Sequence, residues 1–177
     1  MKKSSTTVLM LMMGVSLALG VQKAAEWIKY TSPEGRYSIA LPAAPTTGSQ
    51  ESKSADGEKF MQYQASLDHD SGFFMVGYFD QGPETVFNFD RARDGMVAAI
   101  KGTLLNESPI TLEGNPGREL KIALASHGTE FLVRARFYDV GERVYMLQFI
   151  VPKSRESVAA VESATKFFDS FHLAKTP

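Results

Sequence analysis

Strict alternation of apolar and polar residues marks the second half of the chain. It is clearest over residues 119–124, and such alternation is typical of a strand with one buried face. Residues 115–118 (Asn-Pro-Gly-Arg) fit a type II turn, residues 127–128 (His-Gly) can close a second hairpin, and residues 141–142 (Gly-Glu) fit a type II′ turn. The pattern therefore predicts three hairpins in a row, forming an antiparallel meander.

The predicted turns also decide which residues lie opposite each other. One face of the meander is then almost wholly apolar. It comprises Leu120, Ile122 and Leu124 beside Ala135, Val133 and Phe131, continuing onto Met146 and Ile150. A regular apolar face supports the assigned register, since a slip of one residue would turn all these side chains to the other side.

The other face of the meander carries charges. Glu119 falls opposite Arg136, and opposed unlike charges favour pairing. Lys121 falls opposite Arg134, a like-charged pair that should reduce stability unless a helix, an acid or a ligand intervenes. Tyr145 lies beside them on the next strand. We call these five residues the mixed face.

Two interpretations of the mixed face stay open. In the first, the stems of Arg134 and Arg136 cover apolar sheet surface while their charged ends reach water. In the second, the mixed face is a recognition patch that tolerates anions beside aromatic groups. It is the candidate recognition site that the sequence offers.

The chain also predicts a hairpin near its start. Residues 27–31 and 36–41 have strand patterns, and residues 32–35 (Ser-Pro-Glu-Gly) between them suit a type I turn. Three side chains of the second strand share one face and are expected to be buried: Tyr37, Ile39 and Leu41.

Three further strands precede the first predicted helix. The Asp-Gly pair at 56–57 is a strong hairpin signal between strands at 50–55 and 58–67. The first of these is polar throughout, as expected of an edge strand. Residues 73–79 are apolar on both faces, which indicates a strand in the interior of a covered sheet. The expected buried face of the second arm is Met61, Tyr63, Ala65 and Leu67.

Apolar residues at helical spacing predict two helices, at 84–105 and 154–170. Pro83 fits the first turn of the first helix. Ser154 is the expected N-cap of the second. The expected buried side chains of the second helix are Val158, Val161, Thr165 and Phe168.

The beginning of the chain has the features of a secretory signal. Lys2 and Lys3 precede an almost wholly apolar stretch at 8–19, and Ala18 and Gly20 occupy the small-residue positions of a cleavage site. A membrane-spanning helix needs about 20 apolar residues, which disfavours a permanent anchor. We therefore expect residues 1–20 to be a signal peptide, and residues 26–174 to form a single domain in the periplasm or outside the cell.

Net charge and cysteine content exclude several classes of function. Without residues 1–20 the chain has 17 basic and 20 acidic residues, a net charge of −3. This balance gives no electrostatic basis for binding nucleic acid or an anionic membrane. The sequence has no cysteine, which excludes disulfides, thiol catalysis and a lipid anchor. We expect a monomer.

Few residues suggest phosphate binding, metal binding or catalysis. Residues 113–120 (EGNPGREL) could cradle phosphate, but a strand pattern follows them rather than the helix that such a loop needs. Residues 68–70 (Asp-His-Asp) are of metal-ligand type, but on a strand the histidine points away from both acids. His127 and His172 are scattered, and no nucleophile-elbow motif accompanies them. We expect no catalytic residue, no metal and no cofactor.

Four stretches resemble a known family: residues 30–45 (YTSPEGRYSIALPAAP), 114–120 (GNPGREL), 134–152 (RARFYDVGERVYMLQFIVP) and 167–173 (FFDSFHL). They are similar to small exported bacterial proteins of PsbP-like (Mog1/PsbP) fold, mostly of unassigned function. The resemblance implies an α+β fold in which an antiparallel β-sheet is flanked by helices, an α/β/α sandwich. Photosystem relatives resemble non-catalytic assembly proteins, and some mycobacterial relatives resemble binders of small or lipidic molecules.

Two classes of function follow. The first is an exported, non-catalytic binding or assembly-accessory module for an unknown protein, and the second is a carrier of a small, partly apolar ligand. A hydrolase is a distant third. An enclosed apolar cavity between sheet and helix would favour the carrier, whereas a filled core with an exposed mixed face would favour the module.

The signal peptide gives a first testable prediction. When the protein is expressed from its own first residue, the mature chain is expected to begin at or within a few residues of Val21 and to appear in the exported fraction. Intact-mass analysis of the purified protein checks this. A cytoplasmic product that retains residues 1–20 would contradict it.

Overall fold

The computed structural model describes residues 26–53, 59–82 and 85–174. The strands are β1 (Ile28–Ser32), β2 (Tyr37–Leu41), β3 (Thr46–Lys53), β4 (Lys59–His69), β5 (Gly72–Asp80), β6 (Thr103–Leu112), β7 (Asn115–Ser126), β8 (Thr129–Val140), β9 (Arg143–Pro152) and β10 (His172–Leu173). The helices are α1 (Phe89–Ala99) and α2 (Val158–Asp169), with a 3₁₀ turn at Lys153–Arg155. Seven strands form an antiparallel sheet in the order β3-β4-β5-β9-β8-β7-β6, and the other three form a small sheet in the order β1-β2-β10.

The predicted meander is confirmed. β7, β8 and β9 follow one another along the sheet and pair in the predicted register. Glu119 lies opposite Arg136, and Lys121 lies opposite Arg134. The predicted apolar face is also present, because Leu120, Ile122, Val133 and Ala135 are almost fully buried.

The turn before this meander lies earlier than predicted. Glu113 and Gly114, with φ of 50° and 87°, close the hairpin between β6 and β7. Pro116 and Gly117 belong to β7 instead. A Cβ atom on Gly117 would lie 2.5 Å from the ring of Tyr138. The role of Gly117 is therefore to allow the ring of Tyr138 to approach closely, and not to form a turn.

The first hairpin forms with its turn displaced by one residue. The N–H of Arg36 donates to the carbonyl oxygen of Pro33 at 3.1 Å, so the turn spans residues 33–36 rather than 32–35. Arg36 has φ of 54°, in the left-handed region. The side chains expected to be buried are confirmed: Tyr37, Ile39 and Leu41.

The outer strands confirm one prediction and correct another. β3 is polar and forms an edge of the large sheet, as predicted, and the Asp-Gly pair at 56–57 lies outside the described residues. In β4, Ala65 is buried, but Met61 and Tyr63 are 43% and 40% exposed, so the prediction of a continuous buried face is wrong. The covering layer of α2 and the small sheet stops short of this end of β4.

The interior strand is confirmed. β5 lies between β4 and β9, and Phe74 and Val76 have no exposed surface. On the opposite side of the same strand, Met75 is also buried. Side chains of both faces are covered, which explains the continuous apolar run.

The first helix is shorter than predicted. It begins after Asn88, whose side chain accepts a hydrogen bond from the N–H of Arg91, and it ends before Lys101, which has φ of 52°. From Thr103 the chain is the strand β6. Leu104 still packs with the helix, although it does so from the strand. The helical spacing therefore continued past the true end of the helix, and Pro83 lies outside the described residues.

The second helix has a different buried face from the predicted one. Its N-cap is Ser157 and not Ser154. Val158 is 76% exposed and Val161 36% exposed. Phe168 is buried as predicted, Thr165 is exposed, and the other buried side chains are Ala160, Ala164 and Phe167. The two phenylalanines bury more apolar area than the valines could, so they determine which face meets the sheet.

Two apolar clusters lie on the large sheet. One joins the sheet to α2 and the small sheet, and the other joins it to α1. The described part of the chain is thus mostly antiparallel β-sheet with two helices, and its covering layer is richer in strands than a simple sandwich. Within the part of the chain that the structure describes, no helix is both long and apolar enough to cross a bilayer.

A row of tyrosines crosses the first cluster. Tyr63, Tyr78, Tyr145 and Tyr138 occupy paired positions on four neighbouring strands. Tyr37 of the small sheet packs against two of them, with ring centroids 6.4 Å from Tyr78 and 6.1 Å from Tyr145. The row fastens the small sheet to the large one through edge and face contacts between rings.

The contact between Gly117 and Tyr138 generates a prediction. Gly117→Ala is expected to lower the free energy of unfolding by about 1–3 kcal/mol, because the added methyl group overpacks the site. The matched control is Gly48→Ala in the edge strand, where no atom lies within 4 Å of the added Cβ. It should change the free energy of unfolding by no more than about 0.5 kcal/mol. Urea unfolding measures both, and equal losses would contradict the prediction.

Candidate functional site

Helix α2 covers most of the mixed face. The Nε of Arg136 donates to Glu119 at 2.6 Å, and its Nη1 donates to Asp169 at the end of α2 at 3.3 Å. The guanidinium carbon also lies 4.7 Å from the ring centroid of Phe168. Arg136 therefore joins the sheet to the helix by one ion pair, to Asp169, and a cation–π contact, while its ion pair with Glu119 lies within the sheet, which gives it a structural role.

The like-charged pair is relieved by an acid, one of the conditions that the sequence left open. The Nζ of Lys121 donates to Glu156, just before α2, at 3.0 Å. Arg134 forms no ion pair with any residue in the described part of the chain. It lines a slot of about 10 Å³ together with Glu156, Phe149 and Val161. Lys121 and Arg134 thus stay near the surface, beside the N-terminal half of α2.

Tyr145 does not belong to a surface, which corrects its place in the candidate recognition face. It is only 2% exposed, and its hydroxyl donates to the carbonyl oxygen of Gly35 at 2.8 Å. Burial raises the pKa of Tyr145 above its usual range. Its role is to hold the first hairpin on the large sheet.

An open cleft lies on the other side of the N-terminal half of α2. Its volume is about 370 Å³. We call it the α2 cleft. Its lining residues are Asp70, Ser71, Val151, Arg155, Ser157, Ala159, Ala160 and Ser163. The helix contributes only alanine and serine here, and these small side chains leave the space unfilled.

The Asp-His-Asp stretch ends at the α2 cleft, which Asp70 lines. The Nδ1 of His69 lies 2.9 Å from the Oγ of Ser71, and the Nη1 of Arg155 donates to the carbonyl oxygen of Asp70 at 3.2 Å. His69 thus points to a serine and not to the two acids. Among the described residues, no group of three or more potential metal ligands is close enough together to hold an ion.

The other two histidines lie elsewhere in the fold. His127 forms the turn between β7 and β8 with φ of 47°. His172 is in β10, where its Nδ1 lies 3.6 Å from a carboxylate oxygen of Glu113. The three histidines therefore do not converge on one site.

Sequence reasoning missed the most buried charged residue of the described chain, Arg143, which is 8% exposed. It donates twice to Asp80, at 2.6 and 2.8 Å, and once to the carbonyl oxygen of Glu34 at 2.6 Å. These hydrogen bonds hold the pKa of Asp80 below its usual range. The sequence did contain a signal, since Asp80 ends an apolar strand and Arg143 begins one, although only Arg143 is buried.

Comparison with solved structures identifies the fold. The structure of cyanobacterial PsbP (CyanoP) from Synechocystis sp. PCC 6803 matches with a TM-score of 0.56 and 13% identity, over 87% of this chain and 96% of that one. At this identity the likeness shows the fold alone. The chain therefore has the PsbP-like fold, which confirms the resemblance. No protein-family profile and no curated protein sequence matches the chain.

Two more distant structures are similar over much of the chain. A protein from Bacteroides thetaiotaomicron has a TM-score of 0.49 and 17% identity, over 83% of this chain and 48% of that one. LpqN, involved in cell envelope biogenesis of Mycobacterium tuberculosis, has a TM-score of 0.43 and 12% identity, over 76% of this chain and 87% of that one. Neither carries an argument about function here.

The two arginines of the mixed face are expected to behave differently. Arg136→Ala should lower the free energy of unfolding by about 1–3 kcal/mol, because it leaves Glu119 unpaired and uncovers Phe168. Arg134→Ala should change it by no more than about 0.5 kcal/mol. Urea unfolding of the two single variants tests this. Equal losses would show that the ion pairs of Arg136 add nothing to stability.

Proposed function

We propose that the chain is an exported, non-catalytic binding or assembly-accessory module that recognises a partner protein with the N-terminal half of α2. The main support is the filled core. Phe74, Phe149 and Phe167 occupy the space between sheet and helix, where a carrier would enclose its ligand, and ring centroids lie 5.1 and 5.3 Å apart. The α2 cleft is open, and the slot has a volume of only about 10 Å³, so neither encloses a space of ligand size.

The exposed valines of α2 support this location. Val158 is 76% exposed and Val161 36% exposed, although both were expected to face the sheet. Val161 lines the slot together with Arg134, Val158 begins the same helix, and Arg155, three residues before Val158, lines the α2 cleft. Lys121 lies beside them through its ion pair with Glu156. We call Lys121, Arg134, Arg155, Val158 and Val161 the α2 entry surface.

The composition of the α2 entry surface indicates the chemistry of its partner. Apolar groups at the centre with charged groups around them are typical of protein interfaces. The cations of the rim favour acidic groups on the partner, and they would affect the rate of association more than its strength. We therefore propose a protein partner that presents an apolar side chain flanked by carboxylates.

A carrier of a small ligand is the second candidate. The α2 cleft, at about 370 Å³, falls within the usual size range of small-molecule sites. A ligand there would be held at the surface, because the cleft is open. Native mass spectrometry of protein purified without denaturant would detect such a ligand as a fixed mass increment.

Export is part of the proposal and is supported by the pattern at the start of the sequence. Lys2 and Lys3, the apolar stretch at 8–19 and the small residues at 18 and 20 match a secretory signal. Residues 1–20 lie outside the described residues. The PsbP-like domain would then meet its partner outside the cytoplasm.

Two matched valine variants test the location of the binding surface. Val158→Asp introduces a charge at the centre of the α2 entry surface, and aspartate in the first turn suits a helix N-terminus, so the fold should be retained. Val86→Asp is the control, because Val86 is 87% exposed and lies before α1. Quantitative capture of partners from an extract of the source organism should fall at least about tenfold for the first variant only.

The experiment tests the location of the binding surface only if the control variant behaves as expected. Both variants must show the wild-type melting temperature. A partner set that Val158→Asp leaves unchanged would refute the location on α2. Equal loss from both valine variants would show that capture depends on general surface charge.

A further inference from the structure

The turn between β4 and β5 brings a base and a hydroxyl together. The Nδ1 of His69 lies 2.9 Å from the Oγ of Ser71 and 3.2 Å from the backbone N of Ser71. Both side chains are half-buried. The pair is local, because the two residues are only two positions apart at the end of a strand.

The backbone decides which partner donates. An amide N–H can only donate, so the Nδ1 of His69 must be unprotonated to accept from the N–H of Ser71. The ring proton of the neutral imidazole then lies on Nε2. Since Nδ1 then has no hydrogen, the hydroxyl of Ser71 is the donor in its contact with Nδ1, and it shares the single lone pair of that nitrogen with the N–H of Ser71. This is the orientation of a nucleophile beside its general base.

Ser71 borders a space that a reactant can enter. Ser71 lines the α2 cleft, together with Arg155, Ala159 and Ser163 from the far side. Arg155 is fixed by its hydrogen bond to the carbonyl oxygen of Asp70. The cleft thus combines a serine that is hydrogen-bonded to a base with a cation and small lining residues.

The first turn of helix α2 carries free hydrogen-bond donors, and it borders the same cleft at Ala159. The N–H of Ala160 is satisfied by the side chain of Ser157, and the N–H of Val161 by its carbonyl oxygen. The N–H groups of Val158 and Ala159, at the first two positions of the helix, have no acceptor within the helix. Such donors stabilise negative charge on an oxygen atom that forms nearby.

We propose that Ser71 is a reactive serine, which accepts an acyl group from a small activated ester bound in the α2 cleft. The Oγ of Ser71 forms a bond to the acyl carbon as its proton passes to Nδ1 of His69. The bond from the acyl carbon to the leaving alcohol then breaks, and the proton passes from His69 to the departing oxygen. The products are an ester on Ser71 and a free alcohol, with no change of oxidation state.

This covalent reaction goes beyond the binding role proposed above and does not depend on it. The binding proposal needs the exposed valines of α2 and no chemistry. The reaction needs only His69, Ser71 and access to the cleft. Loss of partner capture by Val158→Asp and the reactivity of Ser71 can therefore succeed or fail separately.

The absence of cysteine from the sequence allows a direct test of the base. Ser71→Cys and Ser163→Cys each place a single thiol in the same cleft, but only the first lies beside His69. The thiolate is the reactive form, so a neighbouring base should speed alkylation by iodoacetamide at pH 7 by about tenfold or more in Ser71→Cys. Adding His69→Ala to Ser71→Cys should remove this advantage.

Two results would overturn the proposal. One is an alkylation rate in Ser71→Cys no higher than in Ser163→Cys. The other is a high rate that His69→Ala leaves unchanged. If the double variant fails to fold, as judged by its melting temperature, the comparison of the two single variants decides alone.

Labelling of the wild-type chain tests the serine itself. A fluorophosphonate ester reacts with an activated serine by forming an O–P bond and releasing fluoride. Peptide mass spectrometry should place the adduct on Ser71, and Ser71→Ala should abolish it while Ser163→Ala leaves it intact. Absence of an adduct, or equal labelling of Ser71 and Ser163, would overturn the proposal.

Discussion

The covering layer of this protein depends on one buried guanidinium, that of Arg143. It holds both oxygens of Asp80 on the neighbouring strand and reaches across to the carbonyl oxygen of Glu34 in the first turn. Its guanidinium carbon lies 4.3 Å from the ring centroid of Tyr78. Such a group is costly to bury unless its donors are satisfied. The loop with Glu34 must therefore stay where it is, and the small sheet stays with it.

Further contacts of the small sheet depend on the position of this loop. The hydroxyl of Tyr145 fixes the next carbonyl of the same loop, and Tyr37 then packs into the row of tyrosines. Phe171, just after α2, lies 5.5 Å from Tyr37 and 5.3 Å from Tyr145 between ring centroids. The C-terminal end of α2 is thus anchored by aromatic rings. On the side of the α2 cleft, its N-terminal half has only alanines and serines, and these small side chains leave the cleft unfilled.

The sequence predicted the meander well because its turns are local and its faces alternate. The register of Glu119 with Arg136 follows from turn positions alone, and the structure confirms it. Single turns were less certain: Pro116 and Gly117 have the composition of a turn, but Gly117 is there to make room for the ring of Tyr138. That reason involves two strands, and composition cannot reveal it.

The buried face of α2 and the α2 cleft could not be predicted from the sequence pattern. Val158 and Phe167 lie on opposite sides of α2, and only the shape of the sheet surface decides which of them is buried. The α2 cleft could not be predicted either, since it forms where residues near 70 meet residues near 160. The contact between His69 and Ser71 was easier to predict from the sequence, because the two residues belong to one turn. A histidine two positions before a serine at a strand end is a signal that the sequence did contain.

Trp27 gives this molecule a built-in optical reporter. It is the single tryptophan of the sequence, its ring packs edge-on against Phe74 at 5.6 Å, and the Nζ of Lys166 on α2 lies 4.8 Å from its centroid. Its fluorescence therefore depends on how both the first strand and α2 pack against the large sheet. Backbone circular dichroism, by contrast, is dominated by the large sheet. Comparing the two signals during unfolding separates detachment of the covering layer from melting of the sheet beneath it.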